Sequence, residues 1–90
     1  MNRKHLAQHL LFHLAQAQMN GDRPNLQELV DEVRVRRGDV RATLTILHQQ
    51  GLYDVVRRRL TLLGFAIARR IEADQLPELR PKKLVQIKAA

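Results

Sequence analysis

The sequence predicts a mainly α-helical domain with one short β-hairpin. Apolar residues recur at the spacing of a one-faced helix in four stretches, at about 3–19, 25–33, 37–50 and 62–74. Residues that start or stop helices separate these stretches: Asn20-Gly21, Asn25, Gly51 and Thr61. Short β-prone runs occur between the third and fourth stretches, at Val55-Val56 and Leu60-Thr61-Leu62.

The first helix is expected over residues 3–19. Leu6, Leu10, Leu14, Ala7, Leu11 and Ala17 fall on one arc of about 140° and make its core face. Asn20-Gly21 ends it, and GDRPN is a loop. His5, His9 and His13 stand four residues apart at the edge of that face, with Phe12 beside them and off the core arc. Histidines at i and i+4 can share a metal ion, but three in a row span about 12 Å of helix and have no interleaved carboxylate. The stripe reads as a solvated edge or as the rim of a dimer face anchored by Phe12. No metal and no cofactor is expected.

The second helix begins after Asn25. Glu28, three residues on, completes a capping-box pattern with Asn in the Ser/Thr place. Leu26, Leu29, Val30 and Val33 form its apolar stripe, and Glu28, Asp31 and Glu32 read as a solvated acidic face. The next segment, VRVRRGD, is too short for anything but a turn. The third helix runs to about Gln50, with Val40, Leu44 and Leu47 inward and Gly51 as its stop. Two short helices joined by a tight turn form a helix-turn-helix arrangement. On the third helix Arg37, Arg41 and Thr45 share the outward face with the small Gly38 and Ala42. Small neighbours allow close backbone approach to a groove floor, and arginine reaches guanine edges or phosphates. Asp39 reads as a cap or first-turn acid.

The β-prone runs enclose Arg57, Arg58 and Arg59, so a hairpin there would carry three cations beside the third helix. The fourth helix is expected over 62–74 with Thr61 as N-cap. Leu63, Ile67 and Ile71 would face inward, Gly64 would allow close packing, and Phe65 would point off the stripe. Pro77 and Pro81 interrupt the C-terminal stretch, where KKLVQIK reads as a short strand or a basic arm. The organisation is therefore one domain at 1–75 and a basic extension at 76–90.

Composition narrows the partners. The chain has 90 residues, enough to bury roughly 60–65% of its unfolded surface, so pairing of two copies would help it. Its 3% aromatic content leaves Leu, Val and Ile to build the core. Sixteen Lys and Arg against nine Asp and Glu give a net charge of +7. That balance implies an anionic partner, nucleic acid first and an anionic membrane surface second. Seven arginines against two aspartates between residues 34 and 59 concentrate +5 in one third of the chain. There is no cysteine, which removes disulfides and thiolate metal sites. No apolar run is long enough to span a membrane, and the leucine-rich start lacks a cleavage site, so a cytoplasmic protein is expected. No Ser/His/Asp grouping, phosphate-binding glycine loop or acid pair suggests an enzyme.

Three pieces in register resemble the bacterial winged helix-turn-helix regulators, broadly the MarR and ArsR families, over about residues 3–74. NLQELVDEV is similar to their positioning helix. VRRGDVRATLTILHQQGL is similar to their recognition helix, with its Leu47-x-x-x-Gly51-Leu52 exit. RLTLLGFAIA is similar to the second wing strand entering a closing helix. Arg34 and Arg36 stand where these families carry a turn glycine and a small polar cap, and the wing is minimal. The resemblance implies a three-helix core, a short wing and a closing fourth helix. It also implies sequence-specific binding of double-stranded DNA by a small transcriptional regulator acting as a homodimer; the off-stripe Phe12 and Phe65 themselves suggest where the dimer face would lie. Helix 37–50 would enter the major groove. Arg34, Arg36, Arg37, Gly38, Arg41, Ala42 and Thr45 would approach the bases and nearby backbone, while Arg57, Arg58 and Arg59 would hold flanking phosphates. The competing expectation is an interaction module that takes a protein or RNA through the same basic face.

Overall fold

The structure, a computed structural model, describes residues 2–77 and residue 79. Its elements are α1 (Arg3–Met19), α2 (Leu26–Val33), α3 (Arg37–Gln49), β1 (Tyr53–Asp54), β2 (Arg59–Leu60) and α4 (Leu62–Ala68), with a single 3-10 turn after them at Ala73–Gln75. The fold is mainly helical with a small antiparallel hairpin, as the sequence predicts. Most of the extension at 76–90, including KKLVQIK, lies outside the described residues.

Helix α1 is the centre of the packing and touches α2, α3, α4 and β2. Asn2 caps it, its side chain accepting from the backbone N–H groups of Lys4 and His5 at 2.8 and 3.2 Å. Leu6, Leu10, Leu11 and Leu14 are buried, whereas Ala7 and Ala17 are half-buried and Ala15, outside the expected arc, is buried. The helix stops at Asn20-Gly21, where Gly21 takes φ 79°. Onto the α1 leucines pack Leu29 and Val33 of α2, Val40, Leu44 and Leu47 of α3, Tyr53 and Leu60 of the hairpin, and Ala68 of α4. The α2 capping box forms in full: Asn25 accepts from the Glu28 N–H at 2.9 Å, and Glu28 accepts from the Asn25 N–H at 3.0 Å.

The hairpin differs from expectation. Its strands are Tyr53–Asp54 and Arg59–Leu60, paired Tyr53 to Leu60 and Asp54 to Arg59, and Val55-Val56 is not a strand. The Asp54 carboxylate accepts from the N–H groups of Val56 and Arg57 at 2.9 and 3.1 Å, which curls residues 55–58 into a turn. Arg58 closes that turn in the left-handed region at φ 55°. A local side-chain bond thus outweighs the β-propensity of two valines.

Helix α4 corrects three expectations. It ends at Ala68, not near 74, and the N–H groups of Arg70 and Ile71 bond three residues back, to Ile67 and Ala68. Leu63 and Ile67 face outward, 57% and 38% exposed, while Phe65 is half-buried against the core. The buried face is Gly64 and Ala68. The reason is proximity: a Cβ on Gly64 would sit 1.9 Å from the Leu52 carbonyl oxygen. Only small side chains fit a helix lying that close to another segment's backbone, so the large aliphatic residues turn outward. Thr61 fixes the approach. Its hydroxyl donates to the Gly51 carbonyl at 2.6 Å and accepts from the Gly64 N–H at 3.1 Å, and its own N–H donates to the Leu52 carbonyl at 3.0 Å.

Candidate nucleic-acid interface

The candidate interface is built around α3 and its entry turn. Arg34 ends α2 in the left-handed region, at φ 58° and ψ 43°, with its N–H bonded to the Val30 carbonyl at 2.7 Å. The left-handed step that glycine ordinarily takes is therefore made by an arginine. Val35 packs against the core and anchors the turn. Arg36 is the N-cap of α3 but gives no side-chain cap; its carbonyl accepts from the N–H groups of Asp39 and Val40. Asp39 is a first-turn acid that suits the positive end of the helix, and it pairs with Arg3 at 3.9 Å.

Val40, Thr43, Leu44 and Leu47 fill the inner face of α3. Gly38, Arg41 and Thr45 are exposed on the outer face or at its edge, and Ala42 between them is half-buried. Thr45 donates its hydroxyl proton to the Arg41 carbonyl at 3.0 Å, so its remaining capacity is as an acceptor. Arg37 sits at the edge of this face, where its guanidinium donates to the Gln27 side-chain oxygen on α2.

The ten positions expected to act together divide into groups. Arg41, Thr45 and Arg58 converge on one recess of about 340 Å³, whose walls include Leu26, Leu44 and Tyr53. Among the described residues neither the Arg41 nor the Arg58 guanidinium is held in an ion pair or hydrogen bond. Gly38 and Ala42 lie on the same outer face of α3, with Arg37 tethered at its margin. Arg34 and Arg36 instead border an open groove with Arg3, Asp31 and Asp39. Arg57 and Arg59 line a third groove, with Gln18 and Leu62, and Arg57 pairs with Asp54 at 3.9 Å. The hairpin therefore directs Arg58 to the α3 side and Arg57 and Arg59 to the α4 side, as alternation along a strand and a left-handed residue at its start require.

Two side chains that position the hairpin carry no sequence signal. The His48 ring nitrogen Nδ1 donates to the Tyr53 carbonyl at 3.0 Å and ties β1 to α3. Gln18 of α1 accepts from the Leu60 N–H at 3.0 Å and ties β2 to the core. Burial pushes the Tyr53 phenol above its usual pKa, with nearby Arg58 acting in the opposite sense. The Asp54 carboxyl is held below the usual carboxylate range, chiefly by the Arg57 N–H, with the Val56 N–H and the Arg57 charge adding to it.

On α1 the histidine stripe is divided among separate contacts. His9 Nε2 meets the Pro77 carbonyl, and His13 Nδ1 lies 3.3 Å from Glu32 on α2. Phe12 is half-buried with its ring edge-on to His13 at 5.5 Å, in a groove shared with Val33 and Leu76. Among the described residues no group of three His, Asp or Glu side chains gathers to hold a metal ion. The dimer face expected around Phe12 and Phe65 is not one surface, because Phe65 packs inward beside the hairpin. Among the described residues no helix is long and apolar enough to cross a membrane.

No protein-family model matches the chain, and neither a curated protein nor a solved structure is significantly similar to it.

Proposed function

We propose that the chain is a winged helix-turn-helix protein that binds double-stranded DNA with sequence preference, as a small transcriptional regulator does. In this reading α2 and α3 are the helix pair, α3 enters the major groove, and the hairpin is the wing. One observation carries it: the outer face of α3 offers Gly38, Arg41, Ala42 and Thr45, and the unpaired Arg58 of the hairpin shares a recess with Arg41 and Thr45. Arg41 and Thr45 read base edges, since a guanidinium fits guanine O6 and N7, and a threonine oxygen and methyl suit cytosine amine or thymine. Arg58 takes the flanking phosphate. Arg36 and Arg37, at the positive N-terminal end of α3, suit the backbone on the other side of the groove.

Pairing of two copies would set two α3 helices about one helical turn of DNA apart. In this fold such pairing would use the Phe12 groove without Phe65.

Selection from a random duplex library, and then fluorescence anisotropy on the selected and a scrambled duplex, tests the reading. Arg41→Ala is expected to cost about 1–3 kcal/mol on the selected duplex and little on the scrambled one. Equal binding of both duplexes by parent and variant would remove Arg41 as a reader. Absence of any complex at low salt would favour a protein or RNA partner for the basic face.

A further inference from the structure

The outward face of α4 has no partner within the described residues. Leu62, Leu63 and Ile67 are 89%, 57% and 38% exposed. With the exposed Ala66 they occupy one arc of about 140° around the helix, opposite the buried Gly64 and Ala68. Single exposed leucines are ordinary on a protein surface; neighbouring large aliphatic residues on one turn and a half of helix mark a contact surface. The border of this face is cationic. Arg69 and Arg70 are exposed just past the end of the helix, and Arg59 lines with Leu62 the groove between hairpin and helix. The acid in that groove, Asp54, is paired with Arg57, and no acidic residue occurs from Val55 to Ile71.

We infer that this face docks a segment of another protein that carries leucine-like side chains flanked by Asp or Glu. The inference is independent of the DNA reading, because its central residues are on α4. Charge selects the occupant. Across a two-fold axis a second copy would set Arg59, Arg69 and Arg70 against the same arginines, in a chain already at +7. A partner with acidic flanks converts that repulsion into complementarity, which speeds encounter and fixes orientation, while the leucines supply buried area. A DNA backbone offers nothing to three aliphatic side chains. A bilayer surface would find only seven helical residues to hold, far fewer than interfacial helices of about 20 residues present. The groove beside Leu62, about 480 Å³ and open along the hairpin, admits the edge of an amphipathic helix laid against α4.

The probe is a fluorescein-labelled amphipathic peptide of about 16 residues, with leucines on one face and glutamates elsewhere. Its counterpart carries lysine for glutamate. Anisotropy and amide chemical shifts of the full chain are read with each. The glutamate peptide is expected to bind, the lysine peptide not, and shifts are expected to cluster from Leu62 to Arg70. The double variant Leu62→Ser, Leu63→Ser should weaken binding about ten-fold or more while its melting curve and DNA retention stay as in the parent. Arg70→Glu should weaken the glutamate peptide and admit the lysine peptide. Four results would overturn the inference. These are equal binding of both peptides, shifts centred on Arg41 and Arg58, and self-association in sedimentation that Leu62→Glu abolishes. The fourth is retention on phosphatidylglycerol vesicles that the double serine variant loses.

Discussion

Gly64 lets α4 lie directly on the Leu52 backbone, with room for hydrogen but not for carbon. Gly64→Ala is therefore expected to destabilise the domain by about 3 kcal/mol, because the obstructing atom is a main-chain carbonyl that cannot rotate away. Urea unfolding would measure it, and a change under about 0.5 kcal/mol would show that α4 can back off from Leu52 at little cost. At this scale the legible features are those whose partners lie close in sequence. Asn25 and Glu28 read as a reciprocal cap because each bonds within three residues. Gln18 does not read as the anchor of β2, because its partner Leu60 is 42 residues away and any of several glutamines could serve. Arg34 and Arg36 stand out in the sequence as departures from a glycine turn and a polar cap. The left-handed angle that Arg34 adopts shows that the turn keeps its path without the glycine.

Elements are legible as far as periodicity alone decides them. Helices α1, α2 and α3 bury the centre of the apolar stripe that periodicity marks: Leu6, Leu10 and Leu14, then Leu29 and Val33, then Val40, Leu44 and Leu47. Helix α4 has two candidate faces, and periodicity favours the larger side chains; the close approach at Leu52 chooses the smaller ones. The hairpin lies between α3 and α4 as expected, but its first strand is at Tyr53 and not at the valines, since propensity scales do not include the Asp54 turn. The contact between α1 and α2 makes a pH prediction. Burial lowers the His13 pKa below its ordinary 6.5, outweighing the opposing pull of Glu32, and nearby His9 lowers it further. The unfolded chain thus takes up this proton at higher pH than the folded one. The stabilising contribution is complete above the ordinary value and is lost as pH falls from 6.5 through the lowered folded value. Thermal melts between about pH 7.5 and 5 should show stability declining with acid, and His13→Gln should flatten the decline. A parent whose stability rises on acidification would mean that the Glu32 ion pair dominates instead.

For the molecule as a whole, the charge of +7 would suit an anionic partner, and the arrangement of arginines limits how one could be held. The sequence suggests one cationic patch; the fold distributes it over the α3 face, the groove at Arg34 and Arg36, and the α4 side of the hairpin. Proximity in sequence does not reveal this, because strand alternation and the left-handed Arg58 send neighbouring side chains to opposite sides. If α3 and Arg58 face DNA together, affinity should fall linearly on a log–log plot against salt, by about 0.9 per phosphate neutralised. Arg58→Ala should reduce that slope by about one and weaken all duplexes alike. A slope unchanged by Arg58→Ala would take the hairpin out of the phosphate contacts.

The bonds from Thr61 to Gly51 and Leu52 pinch the chain together just before and just after the eight residues that form the hairpin. The spacing of the two helices on either side is therefore held by that clasp and by the buried Tyr53 and Leu60, and not by the exposed tip between them. A closed excursion of this kind can be rewritten or lengthened at a modest entropic cost, about 0.6 kcal/mol for each doubling. Descendants of this chain could thus exchange the projecting tip, and with it the charges it carries, while α3 stays where it is.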